Sequence, residues 1–186
     1  MSSMVKPRPI TADEFEEFNP EWRYDLIKGE LRPMPAMPGA KHGQLTFAFT
    51  LDLGLFIREI DAGVCFAAET RFTIERNPDT AIAPDWAFVG RERMPTTTPN
   101  GFLDLAPDIV LEVRSPSDRK GEVLEKVNRW LAAGVKIVWE LNPKTRVLTV
   151  YRPDCVPREL TVDDTLTGEE ILPGFTLPLR RLFPNS

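Results

Sequence analysis

PDIVLEVRSPSDRKGEVLEKVNRWLAAG, residues Pro107 to Gly134, decides how the rest of the chain is read. It begins as an apolar β run entered at Asp108 and running to Val113, interrupted within by one carboxylate, Glu112. Ser115-Pro116-Ser117 stops the strand. An amphipathic helix follows from about Asp118 to Ala133, with Val123, Leu124, Val127, Trp130 and Leu131 on one face. Gly134 is suited to the position just past the helix end. A carboxylate inside an apolar strand is costly to bury unless a cation or a metal compensates it. Glu112 is therefore the first candidate for chemistry.

A second such carboxylate lies upstream. Ile82-Ala83-Pro84-Asp85-Trp86-Ala87-Phe88-Val89 reads as a strand apolar on both faces except at Asp85, as a central buried strand should. Proline is poorly tolerated within a strand, so Pro84 marks where it begins.

The flanking segments supply the other elements. Thr11-Ala12-Asp13-Glu14 fits a capping box, and a short helix is expected to about Asn19, ended by Pro20. Residues 23 to 34 form a hairpin turning at Lys28-Gly29, with Glu30 just after the turn as a solvated residue on spacing alone. After a proline-rich loop, residues 41 to 60 repeat Leu45, Phe49, Leu53, Phe56, Ile57 and Ile60 at helical steps. The first turn of that helix carries His42, the single histidine, where an anion can be received. Val64 to Glu75 reads as one or two strands, Asn77 to Thr80 as a turn, and Gly90 to Ala106 as a loop. Val135 to Leu141 and Arg146 to Tyr151 make a second hairpin. Arg158 to Val162 and the closing ILPGFTLPLRRLF add short strands and a helical turn.

Bulk properties bound the class. A chain of 186 residues, 42% hydrophobic and 27% charged, fits one globular domain spanning residues 1–186. Its 18 prolines punctuate turns and form no repeat. The N-terminus lacks a secretory apolar core, and no apolar run nears the roughly 18 residues that span a bilayer, so a cytoplasmic protein without membrane contact is expected. Cys65 and Cys155 have neither CxxC spacing nor a partner histidine and read as free thiols. A net charge of −5 and a pI near 5.1 argue against a general basic nucleic-acid coat. They leave room for an enzyme with a local basic cluster around an acidic site.

If the strands carrying Asp85 and Glu112 are neighbours, their carboxylates can share a divalent cation. Two acids, a backbone carbonyl and water or phosphate suit Mg²⁺ or Mn²⁺. A lysine nearby would position water and stabilise phosphate charge. From Glu112 the chain advances about 13 Å to the helix start at ~3.3 Å per residue. A helix packed back along the strand recovers that distance in about nine residues at 1.5 Å each. This favours Lys126 over Lys120, although periodicity alone would nominate either and both fit the role of helix lysines that reach for solvent.

Pro84-Asp85 followed by Glu112-Val113-Arg114 resembles the PD-(D/E)XK nuclease superfamily. With Gly29-Glu30-Leu31, His42-Gly43, APDWAFV, APDIVLEVRSPSD, EKVNRWLAAGV and LPGFTLPL, nearly the whole chain is similar to the bacterial Uma-type family of putative restriction endonucleases. That resemblance implies an α/β, restriction-endonuclease-like core of a helix, three strands, a helix and a strand. The core's mixed sheet is flanked by helices, with an N-terminal hairpin and extra C-terminal strands added. It implies a Mg²⁺- or Mn²⁺-dependent endodeoxyribonuclease, with Asp85 and Glu112 as metal ligands and a migrated lysine at Lys126. Glu30 and His42 then line the site, DNA is the substrate, and a homodimer is expected by analogy. Arg114 stands where the superfamily usually has its lysine. Two other readings remain open: an inactive nucleic-acid or protein interaction module on the same fold, and a structural role in which Asp85 and Glu112 pair with Arg71 or Arg114.

Overall fold

The computed structural model describes residues 8–18, 23–34 and 39–183. Thr11 opens α1 (Ala12–Glu17) with the expected reciprocal cap: its hydroxyl accepts the Glu14 N–H at 3.2 Å, and the Glu14 carboxylate accepts the Thr11 N–H at 3.0 Å. The helix ends at Glu17, with Phe18 already extended, two residues short of the expected end; Asn19 and Pro20 lie outside the described residues. β1 (Tyr24–Ile27) and β2 (Glu30–Pro33) pair antiparallel across Lys28 and Gly29, both at positive φ, 50° and 76°. A two-residue hairpin turn requires that backbone.

α2 (Ala40–Glu59) buries Leu45, Phe49, Leu53 and Ile57, whereas Phe47, Leu51 and Leu55 face outward. β3 (Gly63–Ala67) and β4 (Phe72–Glu75) follow as separate strands. The single strand expected over residues 82–89 is instead two, β5 (Thr80–Ile82) and β6 (Trp86–Gly90), divided at Ala83-Pro84-Asp85. Pro84 has no N–H to continue a ladder, so the chain changes sheets there. Asp85 consequently sits at the passage between two sheets and not within a strand.

β7 (Ile109–Val113) is buried throughout. α3 (Lys120–Ala132) starts two residues later than expected, because the Asp118 carboxylate turns back to accept the Ser115 N–H at 2.7 Å. The helix closes with Gly134 at φ 97°; the Gly134 N–H reaches Leu131 O at 3.0 Å and the Val135 N–H reaches Trp130 O at 3.2 Å. That pair satisfies carbonyls the helix end would otherwise orphan. The remaining strands are β8 (Ile137–Asn142), β9 (Val147–Tyr151), β10 (Arg158–Leu160), β11 (Thr165–Gly168) and β12 (Leu172–Pro178).

The central sheet has the order β10-β9-β8-β7-β6-β3, parallel only between β7 and β8, which α3 connects. Its α2, β3, β6, β7, α3 and β8 reproduce the helix, three strands, helix and strand expected from the sequence. One face packs Ile109, Leu111 and Val113 against α2 and the β11–β12 pair. The other face packs Val110 and Val138 against Val127 and Trp130 of α3. The N-terminal hairpin is more than an appendage: β1 also pairs with β5 through Leu26 and Ala81, giving a second, four-stranded sheet β2-β1-β5-β4. Among the described residues, no helix is long and apolar enough to cross a membrane. Cys65 and Cys155 are both free.

Candidate active site

Alternation along β7 turns Glu112 away from the α2 face and toward α3. There Lys126 Nζ lies 2.8 Å from Glu112 Oε2 and donates a second bond to the Ala83 carbonyl at 3.1 Å. The Trp130 indole N–H, one turn along α3, donates to Glu112 Oε1 at 2.8 Å. Asp85 arrives from the passage between the sheets. Its Oδ2 accepts the Val113 N–H at 2.7 Å and stands 3.2 Å from His42 Nε2, brought by the first turn of α2. Asp85, Glu112, Lys126 and His42 line one cavity of about 670 Å³, walled by the β1–β2 hairpin and the N-terminal half of α3.

Charge in this cluster is unevenly compensated. Burial pushes the Glu112 carboxyl up to about 7, against the pull of Lys126. Burial also opposes the Lys126 ammonium, but Glu112, Asp25 and Asp85 together hold its pKa above the ordinary lysine value. Asp85 is desolvated too, yet His42, Lys126 and the Val113 N–H keep it below the usual carboxylate range. His42 is raised by its bond to Asp85. Three carboxylates thus face one ammonium.

The guanidinium groups are engaged elsewhere. Arg114, in the superfamily's lysine position, places Nε 2.6 Å from Glu140 Oε1 on the neighbouring strand β8. Glu140 also accepts the Tyr151 hydroxyl at 3.1 Å. Arg71 donates to Tyr24 O at 2.8 Å and lies over the rings of Phe15 and Phe102. Neither arginine sits on Asp85 or Glu112, which removes the salt-bridge reading with those partners.

Of the residues expected from the sequence, four are brought together and Glu30 is not. It follows the hairpin turn, its side chain 75% exposed and loosely opposite Arg32 at 3.7 Å, and it does not line the cavity. Lys120 is exposed at the start of α3, also off the cavity. Three contributions escaped the sequence reading: the Trp130 indole, the Ala83 carbonyl and Asp25 of β1. Asp25 lines the cavity, and its Oδ1 is buried with no hydrogen-bond partner among the described residues. Tyr24-Asp25-Leu26-Ile27 also sets an acid among apolar residues, but a strand of four residues is too short for that pattern to imply burial.

Comparison with known proteins agrees with this architecture. A crystal structure of a putative nuclease belonging to DUF820 from Anabaena variabilis superposes with a TM-score of 0.81 at 24% identity, covering 95% of this chain and 98% of that one. The shared fold is restriction-endonuclease-like. A search of curated proteins finds no match. The family model Uma2, described as "Putative restriction endonuclease", matches residues 12–180. That match takes in the whole cluster built from Asp25, His42, Asp85, Glu112 and Lys126, and the chain belongs to the Uma2 family of putative restriction endonucleases.

Proposed function

We propose that the protein is a metal-dependent endonuclease hydrolysing DNA phosphodiester bonds, with Asp85 and Glu112 as metal ligands and Lys126 as the cationic partner of the reacting groups. One observation carries this reading: two acids and a lysine, from the sheet passage, β7 and α3, meet on the wall of one cavity. Two acids on one cavity wall, Asp85 and Glu112, with one Asp85 oxygen outside the bonds to His42 and Val113, suit a hard divalent cation such as Mg²⁺ or Mn²⁺. Among the described residues no three His, Cys, Asp or Glu side chains form a complete ligand set. Asp85 and Glu112 would therefore hold the ion with a main-chain carbonyl, and water and substrate phosphate would supply the rest, in keeping with magnesium's reluctance to shed water. When bound, the cation makes water more acidic and neutralises phosphate charge.

The chain's own groups do the positioning. Trp130 and Lys126 fix both oxygens of Glu112. The Val113 N–H and His42 fix Asp85 Oδ2, leaving its second oxygen free to bind. The Lys126 ammonium, spanning Glu112 and Ala83, offers a further N–H to a phosphate oxygen or to the attacking water. Cutting both strands of a duplex calls for two such sites, so a homodimer belongs to the same reading and sedimentation checks it.

Supercoiled plasmid incubated with the protein and Mg²⁺ or Mn²⁺ should become nicked or linear, and EDTA should stop the reaction. Asp85→Ala and Glu112→Gln should each lower the rate by about a hundredfold or more. Wild-type rates in Asp85→Ala would overturn the assignment. Absence of both cleavage and calorimetric cation binding, with DNA or protein association intact in EDTA, would replace it with the interaction module.

A further inference from the structure

Asp25 has no place in the reaction as described, yet it occupies the cavity wall opposite α3. It belongs to the four-stranded sheet and not to the sheet that carries Glu112. Two placements tie it to the lysine: Asp25 and Lys126 line the same cavity, and Leu26, next to Asp25, pairs with Ala81, two residues before the Ala83 carbonyl that accepts Lys126 Nζ at 3.1 Å. Asp25 and Lys126 also attract through space, and this is the largest influence opposing the burial that raises the Asp25 pKa. Meanwhile Asp25 Oδ1 is buried with no hydrogen-bond partner among the described residues. A fold selected for stability alone would not keep such an atom, because a buried carboxylate without full hydrogen bonding opposes folding.

We infer that Asp25 is a positioning residue of the site: it fixes the Ala83 segment and draws the Lys126 ammonium to its station beside Glu112. Lys126 is then held from two sheets at once, by Glu112 on one side and by Asp25 with Ala83 on the other. A lysine has four rotatable bonds and needs such bracketing to present its remaining N–H in one direction. This inference rests on the hydrolytic reading of Asp85, Glu112 and Lys126.

The test compares wild type, Asp25→Asn and Asp25→Glu in full-length protein. Asp25→Asn should lower kcat on plasmid DNA by about tenfold to a hundredfold, the scale of a misplaced catalytic group, with KM nearly unchanged. Its Tm should equal or exceed that of wild type, since the variant replaces a carboxylate whose Oδ1 is buried without a hydrogen bond. Asp25→Glu, which keeps the charge, should fall closer to wild type in kcat than Asp25→Asn does. A second readout is independent of cleavage: acetylation of Lys126 by acetic anhydride, followed by peptide mass spectrometry and normalised to the exposed Lys144. Asp25→Asn should speed modification of Lys126 about threefold or more as the ammonium loses its bracket. Unchanged kcat, a parallel fall in kcat and Tm, or unchanged Lys126 reactivity would each overturn the inference. If wild type fails to cut DNA, the hydrolytic reading fails by itself, and the labelling still decides whether Asp25 holds Lys126.

Discussion

At the scale of single residues, buried carboxylates divide into those with compensation and those without. Asp108 is 2% exposed, accepts the Gly90 N–H at 2.8 Å, and faces Arg93 at 2.9 Å and Lys136 at 2.8 Å. Burial works to raise its pKa, but these partners hold it below the ordinary aspartate value. A depressed folded pKa stabilises the protein fully above the unfolded value of about 4, and the contribution is lost as pH falls through the lower folded value. Urea midpoints should therefore drop between pH 5 and pH 3, and the drop should be shallower in Asp108→Asn; an identical slope would contradict the assignment. Asp25 is the contrasting case, and it was also the harder residue to read. Glu112 and Asp85 stand out in apolar runs long enough to imply a buried strand. Asp25 lies in a four-residue strand, where an acid reads as one solvent-facing position of a hairpin. What buries it is pairing with β5, a contact between residues far apart in sequence.

At the scale of elements, α3 does most to organise the site, since it delivers both Lys126 and Trp130 to Glu112. Its alignment was legible because rise per residue is fixed in strands and helices, so levelling Lys126 with Glu112 needed only the reversal point. The indole bond was not legible: Trp130 sits within the apolar stripe, and periodicity says nothing of its polar edge. The helix end can be tested directly. Gly134 has a φ of 97°, and a Cβ added there would meet nothing within 4 Å, so Gly134→Ala isolates backbone strain from packing. We expect a loss of about 1–2 kcal/mol in urea unfolding, with the Lys126 to Glu112 contact retained; a neutral substitution would show that the left-handed cap is dispensable. The strand over residues 82–89 was misread for a related reason. Residues buried on both faces look alike whichever sheet they join, and Pro84 signals a boundary without saying that two sheets meet there.

At the scale of the molecule, the nuclease-like core is complete within the six-stranded sheet, but the site is not. Glu112 and Lys126 belong to the core, Asp25 to the smaller sheet, and Ala83 and Asp85 to the chain running between them. Net charge says little about this arrangement, since basic and acidic side chains mix along the cavity wall. The passage at Ala83-Pro84-Asp85 has a thermodynamic consequence. It is a seam, and a ligand seated on it would act as a clasp: binding free energy, growing as RT ln(1 + [L]/Kd), would be shared by the two sheets that meet there. Hydrogen exchange should report this as synchrony. Adding Mg²⁺ should slow the amides of β1 and β5 together with those of β7; protection confined to β7 would show that the ion does not join the two sheets.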